Sequence, residues 1–105
     1  MKKKILLVDD KATIGKVASI YLGKDYDVMY LENPIKAIDW LNEGNVPDLI
    51  ISDIRMPLMR GDEFLRYMKA NELFKSIPIG TSVWNTSSTG KNFIILLIKL
   101  NFSPM

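Results

Sequence analysis

The chain has 105 residues, of which 48% are apolar and 25% charged, and its formal net charge is +2. This length predicts a single domain over residues 1–105 with an ordinary apolar core, and the balanced charge gives no sign of a nucleic-acid-binding surface. The sequence contains neither cysteine nor histidine, which excludes disulfides, thiolate or imidazole metal sites and any catalysis by histidine.

No segment has the length and polarity of a signal peptide or a membrane span. The apolar stretch that follows the N-terminal lysines stops after four residues, and the longest apolar run, residues 93–100, is far shorter than a bilayer requires. We therefore expect a cytoplasmic protein that contacts neither membrane nor nucleic acid directly.

Two strand patterns and two helix patterns alternate in the first half of the chain. The apolar run Ile5–Val8 is typical of a strand buried on both faces, and residues 26–31 have the β-branched and aromatic content of a second strand. The helix between them is predicted to end at Gly23 and to bury an apolar stripe of Ile14, Val17, Ala18, Tyr21 and Leu22. The next helix is expected to begin at Asn33 and Pro34, to end at Gly44, and to bury Ile35, Ile38 and Leu41, with Ala37 and Trp40 beside them.

The alternation continues through the middle of the chain and predicts a parallel sheet. Leu49–Ser52 is a second strand pattern of the fully buried kind and is followed by Asp53. A third helix is expected to open at Gly61 and to carry Phe64, Leu65 and Met68, and a fourth strand is expected to begin near Ile79. Strands that alternate with helices favour an α/β fold with right-handed crossovers and helices on both faces of the sheet.

Three aspartates stand at the carboxyl ends of the two buried strand patterns. Asp9 and Asp10 close the first strand, and Asp53 closes the second. Ligands of open parallel sheets bind beyond the carboxyl ends of the strands, so these carboxylates meet in one pocket if the two strands are neighbours. Because such a pocket needs a cation to neutralise it, the pattern predicts a metal site, against the alternative that each aspartate is only a helix cap or a turn residue.

These motifs, together with Met56, Pro57 and Gly61 in this order and spacing, give the chain a family likeness. Over residues 1–80 it resembles the receiver domain of two-component response regulators. The resemblance implies a flavodoxin-like, doubly wound parallel sheet with strand order 2-1-3-4-5. It also implies a regulatory domain, not an enzyme, that receives a phosphoryl group from a sensor histidine kinase or a phosphotransfer protein and then changes its binding to a downstream partner.

The resemblance assigns roles to individual residues. Asp53 is the expected phosphoacceptor, since a carboxylate can act as a nucleophile toward phosphorus. Mg²⁺ is the expected cofactor, and its ligands would be Asp9, Asp10, Asp53 and the backbone carbonyl of Arg55. The loop after Asp53 would be shaped by Met56, Pro57 and Gly61.

Lys11 departs from the receiver pattern, which often has an acidic or small residue at this position. We interpret it as a solvated lysine at the start of the first helix. The alternative is that its charge competes with the metal or contacts phosphate.

Residues 81–105 also diverge from the receiver pattern. Receivers place Ser or Thr at the end of the fourth strand, and that position falls on Val83, with Ser82 one residue and Thr81 two residues early. Lys99 is the candidate phosphate-contacting lysine, although Leu100 follows it where proline is usual. Only five residues follow Leu100, so we expect the last helix to be missing, which would expose apolar surface and favour a homodimer. A truncated or frame-shifted ending would explain this divergence.

Two other functions remain open at this level. A receiver-like binding module that no longer switches would fit the divergent last third, whereas the intact acidic residues favour phosphorylation. A phosphohydrolase with an aspartate nucleophile is disfavoured, because the position two residues after Asp53, where such enzymes carry an acid, is Arg55.

Overall fold

The computed structural model describes residues 2–53 and 59–82, with the backbone alone described at Asp53, Gly61, Asp62, Thr81 and Ser82. Seven elements follow one another in this part of the chain: β1 (Lys4–Val8), α1 (Ala12–Leu22), β2 (Asp27–Leu31), α2 (Pro34–Asn42), β3 (Leu49–Asp53), α3 (Gly61–Ala70) and β4 (Ile79–Ser82). The strands form one parallel sheet in the order β2-β1-β3-β4. This order confirms the flavodoxin-like arrangement predicted for the first four strands. The predicted fifth strand and the predicted loss of the last helix concern residues outside the described ranges.

The centre of the described sheet is formed by β1 and β3, the two strands predicted to be buried on both faces. Leu6 and Val8 of β1 pack with α2 and α3, whereas Ile5 and Leu7 pack with α1. Successive residues of a strand point to opposite faces, so an uninterrupted apolar run is the pattern that a strand with helices on both sides requires. The described residues Ile5–Val8 and Leu49–Ile51 are accordingly at most 1% exposed.

The buried side of α1 differs from the prediction. Val17 and Tyr21 are 49% and 39% exposed, whereas Gly15 is buried together with Ile14, Ala18 and Leu22. The helix is therefore rotated so that the flank carrying Gly15 faces the sheet, and the opposite flank with Val17 and Tyr21 faces outward. An apolar stripe in the sequence could not reveal this rotation, because glycine contributes no apolar side chain to the pattern.

The buried side of α2 was predicted correctly except at one residue. Ala37 and Leu41 are buried and Ile38 and Trp40 pack against the same core, but Ile35 is 43% exposed. Residues in a helix are separated by about 100° of rotation, so Ile35 lies about 200° from Ala37 and points away from the sheet.

The ends of α2 agree with the signals read from the sequence. The side chain of Asn33 accepts a hydrogen bond from the backbone N–H of Lys36 at 2.9 Å, and Pro34 occupies the first helical position. Gly44 follows the helix with φ of 99°, a left-handed conformation that favours glycine. In residues 2–53 and 59–82, no helix is long and apolar enough to cross a membrane.

Candidate functional site

The carboxyl ends of β1 and β3 lie side by side in the sheet. Val8 pairs with Ser52, so Asp9 and Asp53 each follow one member of this pair. On the other side of β3, Asp53 itself pairs with Ser82, the last residue of β4. Neighbouring strands lie about 4.8 Å apart, so the backbone of Asp53 is about one strand spacing from Asp9 on one side and from Ser82 on the other. The predicted neighbourhood of the two acidic strand ends is therefore confirmed for the backbone.

Asp9 is fully buried, and both polar groups of its backbone are bonded to β2. Its N–H donates to the carbonyl oxygen of Leu31 at 3.2 Å, and its carbonyl oxygen accepts a hydrogen bond from the Tyr30 hydroxyl at 2.7 Å. One carboxylate oxygen, Oδ1, accepts a hydrogen bond from the backbone N–H of Lys11 at 2.8 Å. Hydrogen bonds to the backbone and to the carboxylate of Asp9 therefore both restrict the position of this buried side chain.

Asp10 is exposed, and its carboxylate is next to a cation of the same chain. The Nζ atom of Lys11 lies 3.3 Å from Asp10 Oδ1. Lys11 is exposed, as expected of a lysine at a helix start, but its ammonium group also contacts one of the predicted metal ligands. The carboxylate of Asp10 therefore forms an ion pair with the ammonium group of Lys11.

Tyr30, near the end of β2, is a residue of this site that the sequence analysis did not identify. Burial raises the pKa of its hydroxyl, and the negative charges of Asp9, Glu32 and Asp10 raise this pKa further. The hydroxyl is therefore protonated at neutral pH and able to donate to the Asp9 carbonyl. No sequence pattern marks this residue, because the register that places Tyr30 beside Leu7 and two residues from Asp9 is set by the pairing of β1 with β2 in the folded sheet.

The described part of the site fits a hard cation such as Mg²⁺. Asp9 offers a buried carboxylate and Asp10 an exposed one, and oxygen donors of this kind are those that Mg²⁺ prefers. Among the side chains that the structure describes, no group of three acidic, histidine or cysteine residues could hold a metal. The other two predicted ligands, the Asp53 side chain and the Arg55 carbonyl, lie outside that part of the chain.

The remaining predicted site residues are described in part or not at all. Thr81 and Ser82 belong to β4, where they pair with Ser52 and Asp53, but their side chains are not described. Gly61 is the first residue of α3, which has Arg60 as its N-cap. Met56, Pro57 and Lys99 lie outside the described residues.

A parallel sheet of order 2-1-3-4 with acidic residues at the carboxyl edge of its central strands defines a flavodoxin-like α/β protein with an acidic edge site. The sequence profile of the response regulator receiver domain matches residues 5–95, and the chain belongs to this family of two-component signalling proteins. The family is regulatory, as the sequence resemblance implied.

The chain is similar to signalling and regulatory proteins from several organisms. A chemotaxis protein CheY homolog of Campylobacter jejuni is 30% identical over 91% of this chain and 73% of its own length. The probable transcriptional regulator ycf29 of Pyropia yezoensis is 35% identical over 75% of this chain, which spans only 36% of that protein. The structure of the chemotaxis response regulator CheY4 of Vibrio cholerae superposes with a TM-score of 0.72, at 26% identity over 86% of this chain and 78% of that one.

Proposed function

We propose that this chain is a phosphorylatable receiver in which Asp53 accepts a phosphoryl group from a histidine kinase or a phosphotransfer protein. A carboxylate oxygen of Asp53 forms a bond to phosphorus, and the bond between phosphorus and the donor's histidine nitrogen breaks. The electron pair of that bond stays on the nitrogen, which takes up a proton. The acceptor is the carboxylate at the end of the central strand β3.

The parallel register of β1 and β3 is the observation that carries this proposal. The pairing of Val8 with Ser52 puts the backbones of Asp9 and Asp53 at the same level of adjacent strands. A phosphoryl group bound to Asp53 would bring further negative charge next to the buried carboxylate of Asp9. Such an arrangement favours a bound counter-charge, because like charges that lie close together repel each other more strongly where water is excluded.

Mg²⁺ is the counter-charge that we propose, held by Asp9, Asp10, Asp53 and the carbonyl of Arg55. When bound, the ion neutralises the phosphoryl oxygens, the main requirement of phosphoryl transfer besides positioning. The chain's own contribution is to hold Asp9 in place through the Leu31 carbonyl and the Tyr30 hydroxyl of β2 and to present Asp10 at the surface beside it. Ser82, Thr81 and Lys99 are the proposed contacts for the bound phosphoryl group.

The consequence of phosphorylation that we propose is a change in binding to a downstream protein, in the cytoplasm. The family membership supports this regulatory role, and two-component receivers are read by other proteins or domains. The homodimer predicted from the sequence remains a prediction.

Intact-mass spectrometry after incubation with acetyl phosphate and Mg²⁺ tests the proposal. We expect one phosphoryl adduct on the native protein, loss of this adduct in Asp53→Asn, and loss of the adduct when a chelator removes the metal. Asp25→Asn is the matched control, because this exposed residue precedes β2 at the opposite edge of the sheet and its removal changes the net charge equally. Absence of the adduct in folded native protein would reject the proposal and favour a receiver-like binding module that does not switch.

A further inference from the structure

We propose that Tyr30 is a positioning residue of the acidic site, whose hydroxyl fixes the backbone of Asp9 and thereby aims the Asp9 carboxylate at the metal. This inference rests on the proposed function and adds Tyr30 and its strand, β2, to the site. The contact that carries it is the hydrogen bond of 2.7 Å from the Tyr30 hydroxyl to the Asp9 carbonyl oxygen.

The geometry of this contact sets it apart from an ordinary strand hydrogen bond. β2 ends at Leu31 and β1 ends at Val8, so Asp9 already lies beyond the regular ladder of β1. The N–H of Asp9 donates to the carbonyl oxygen of Leu31, the last residue of β2, and the carbonyl oxygen of Asp9 accepts from the phenol of Tyr30, a side chain of the same strand.

The backbone N–H and the backbone carbonyl of Asp9 are consequently bonded to two consecutive residues of β2. Leu31 holds the N–H and Tyr30 holds the carbonyl, so rotation of the Asp9 backbone would break one bond or the other. The Lys11 N–H on Oδ1 then restricts the side chain itself. Groups that bond to a metal ligand orient it and commonly change metal affinity when they are removed.

The ring of Tyr30 is itself held in one place by α1. Gly15 lies so close to it that a β carbon on Gly15 would be 2.2 Å from Tyr30 Cε1 and 2.3 Å from Cζ. The phenol therefore fills a gap that exists only because residue 15 has no side chain. The packing of the Tyr30 ring against Gly15, together with the position of Tyr30 near the end of β2, brings the Tyr30 hydroxyl to the Asp9 carbonyl oxygen.

Tyr26 offers a matched control for removal of a tyrosine hydroxyl. It is buried, it belongs to the same face of the sheet, and it precedes β2 at the edge opposite the acidic site. Tyr26→Phe and Tyr30→Phe remove the same atom, but only the second removes a contact to Asp9.

Titration calorimetry with Mg²⁺ alone tests the inference on native protein, Tyr30→Phe and Tyr26→Phe, with folding of each checked by circular dichroism. We expect Tyr30→Phe to weaken Mg²⁺ binding about three- to tenfold, the effect of losing one hydrogen bond, and Tyr26→Phe to leave it within about twofold. The Mg²⁺ concentration for half-maximal phosphorylation by acetyl phosphate should rise by the same factor in Tyr30→Phe. Gly15→Ala is a second variant, expected to weaken Mg²⁺ binding because it displaces the ring.

The outcomes separate this inference from the proposed function. Native protein that binds Mg²⁺ and forms the Asp53 adduct, with the same Mg²⁺ affinity in folded Tyr30→Phe, would overturn the role of Tyr30 and leave the receiver function intact. Native protein that binds Mg²⁺ no better than Asp9→Asn would overturn both.

Discussion

The aromatic ring of Tyr30 occupies the space into which a side chain at position 15 would project, and Gly15 is the residue found there. The two residues belong to β2 and α1, and their contact sets how closely this helix lies on the sheet. Since the same ring carries the hydroxyl that reaches Asp9, packing on one face of the sheet is linked to the acidic edge.

Gly15→Ala should destabilise the native protein by about 1–2 kcal/mol. The added methyl group forces the Tyr30 ring to move, and this overpacking exceeds the roughly 1 kcal/mol that alanine contributes over glycine within a helix. In a Tyr30→Val background the obstructing ring atoms are gone, so the same substitution should become stabilising. Urea unfolding of the native protein, the two single variants and the double variant measures this double-mutant cycle. Equal effects of Gly15→Ala on the free energy of unfolding in both backgrounds would contradict the contact.

Gly44→Ala should destabilise the protein by about 1 kcal/mol for a reason that involves no clash. An added β carbon at Gly44 would meet nothing within 4 Å, but φ is 99°, where side-chain-bearing residues are strained. Gly44→Asn should be less harmful, because asparagine tolerates left-handed conformations better than alanine does. Thermal unfolding of the two variants provides the measurement, and an alanine variant as stable as the native protein would exclude strain at this turn.

Lys11→Ala should increase the affinity for Mg²⁺ by about two- to threefold. The Lys11 ammonium lies 3.3 Å from an Asp10 oxygen and must leave it if a metal takes its place, although an exposed ion pair of this kind contributes only about 0.2–1 kcal/mol. Lys16→Ala makes the same change in net charge on an exposed position of α1 and is the matched control. Titration calorimetry at constant ionic strength distinguishes them, and equal affinities in both variants would show that Lys11 does not compete.

The protein should lose stability at alkaline pH, in part through Tyr30. Its folded-state pKa is raised, first by burial and then by Asp9, Glu32 and Asp10, so the folded state retains the phenolic proton more strongly than the unfolded chain does. The resulting stabilisation is complete below the pKa of an unfolded tyrosine and is lost as the pH rises through the folded-state pKa. Denaturant unfolding at increasing pH should show a smaller alkaline loss in Tyr30→Phe, and identical profiles would contradict this.

Tyr26 contributes to the same alkaline profile and must be separated from Tyr30. Burial and the charge of Asp25 raise its pKa as well. The double variant with both tyrosines replaced by phenylalanine should therefore show a smaller alkaline loss than either single variant.

Much of the fold followed from local patterns in the sequence. Uninterrupted apolar runs identified β1 and β3 as central strands, because only a strand with helices on both faces needs such a run. The start of α2 followed from Asn33 and Pro34, and its end from Gly44, since these residues act through their own backbone geometry and side-chain reach. Strand ends followed by aspartates likewise pointed to the carboxyl edge of the sheet as the site.

The sequence by itself determined which elements form and which acidic residues close the central strands, because both depend on residues close together in the chain. The tertiary structure alone decided the rotation of α1, with Val17 and Tyr21 outward and Gly15 inward, and the exposure of Ile35. It also decided that Tyr30 bonds to Asp9 across 21 residues of sequence. The physical reason is that this bond depends on the register of β1 and β2 and on the close packing of α1 at Gly15. Neither the register nor the packing follows from the residues next to Tyr30 or Asp9 in the sequence.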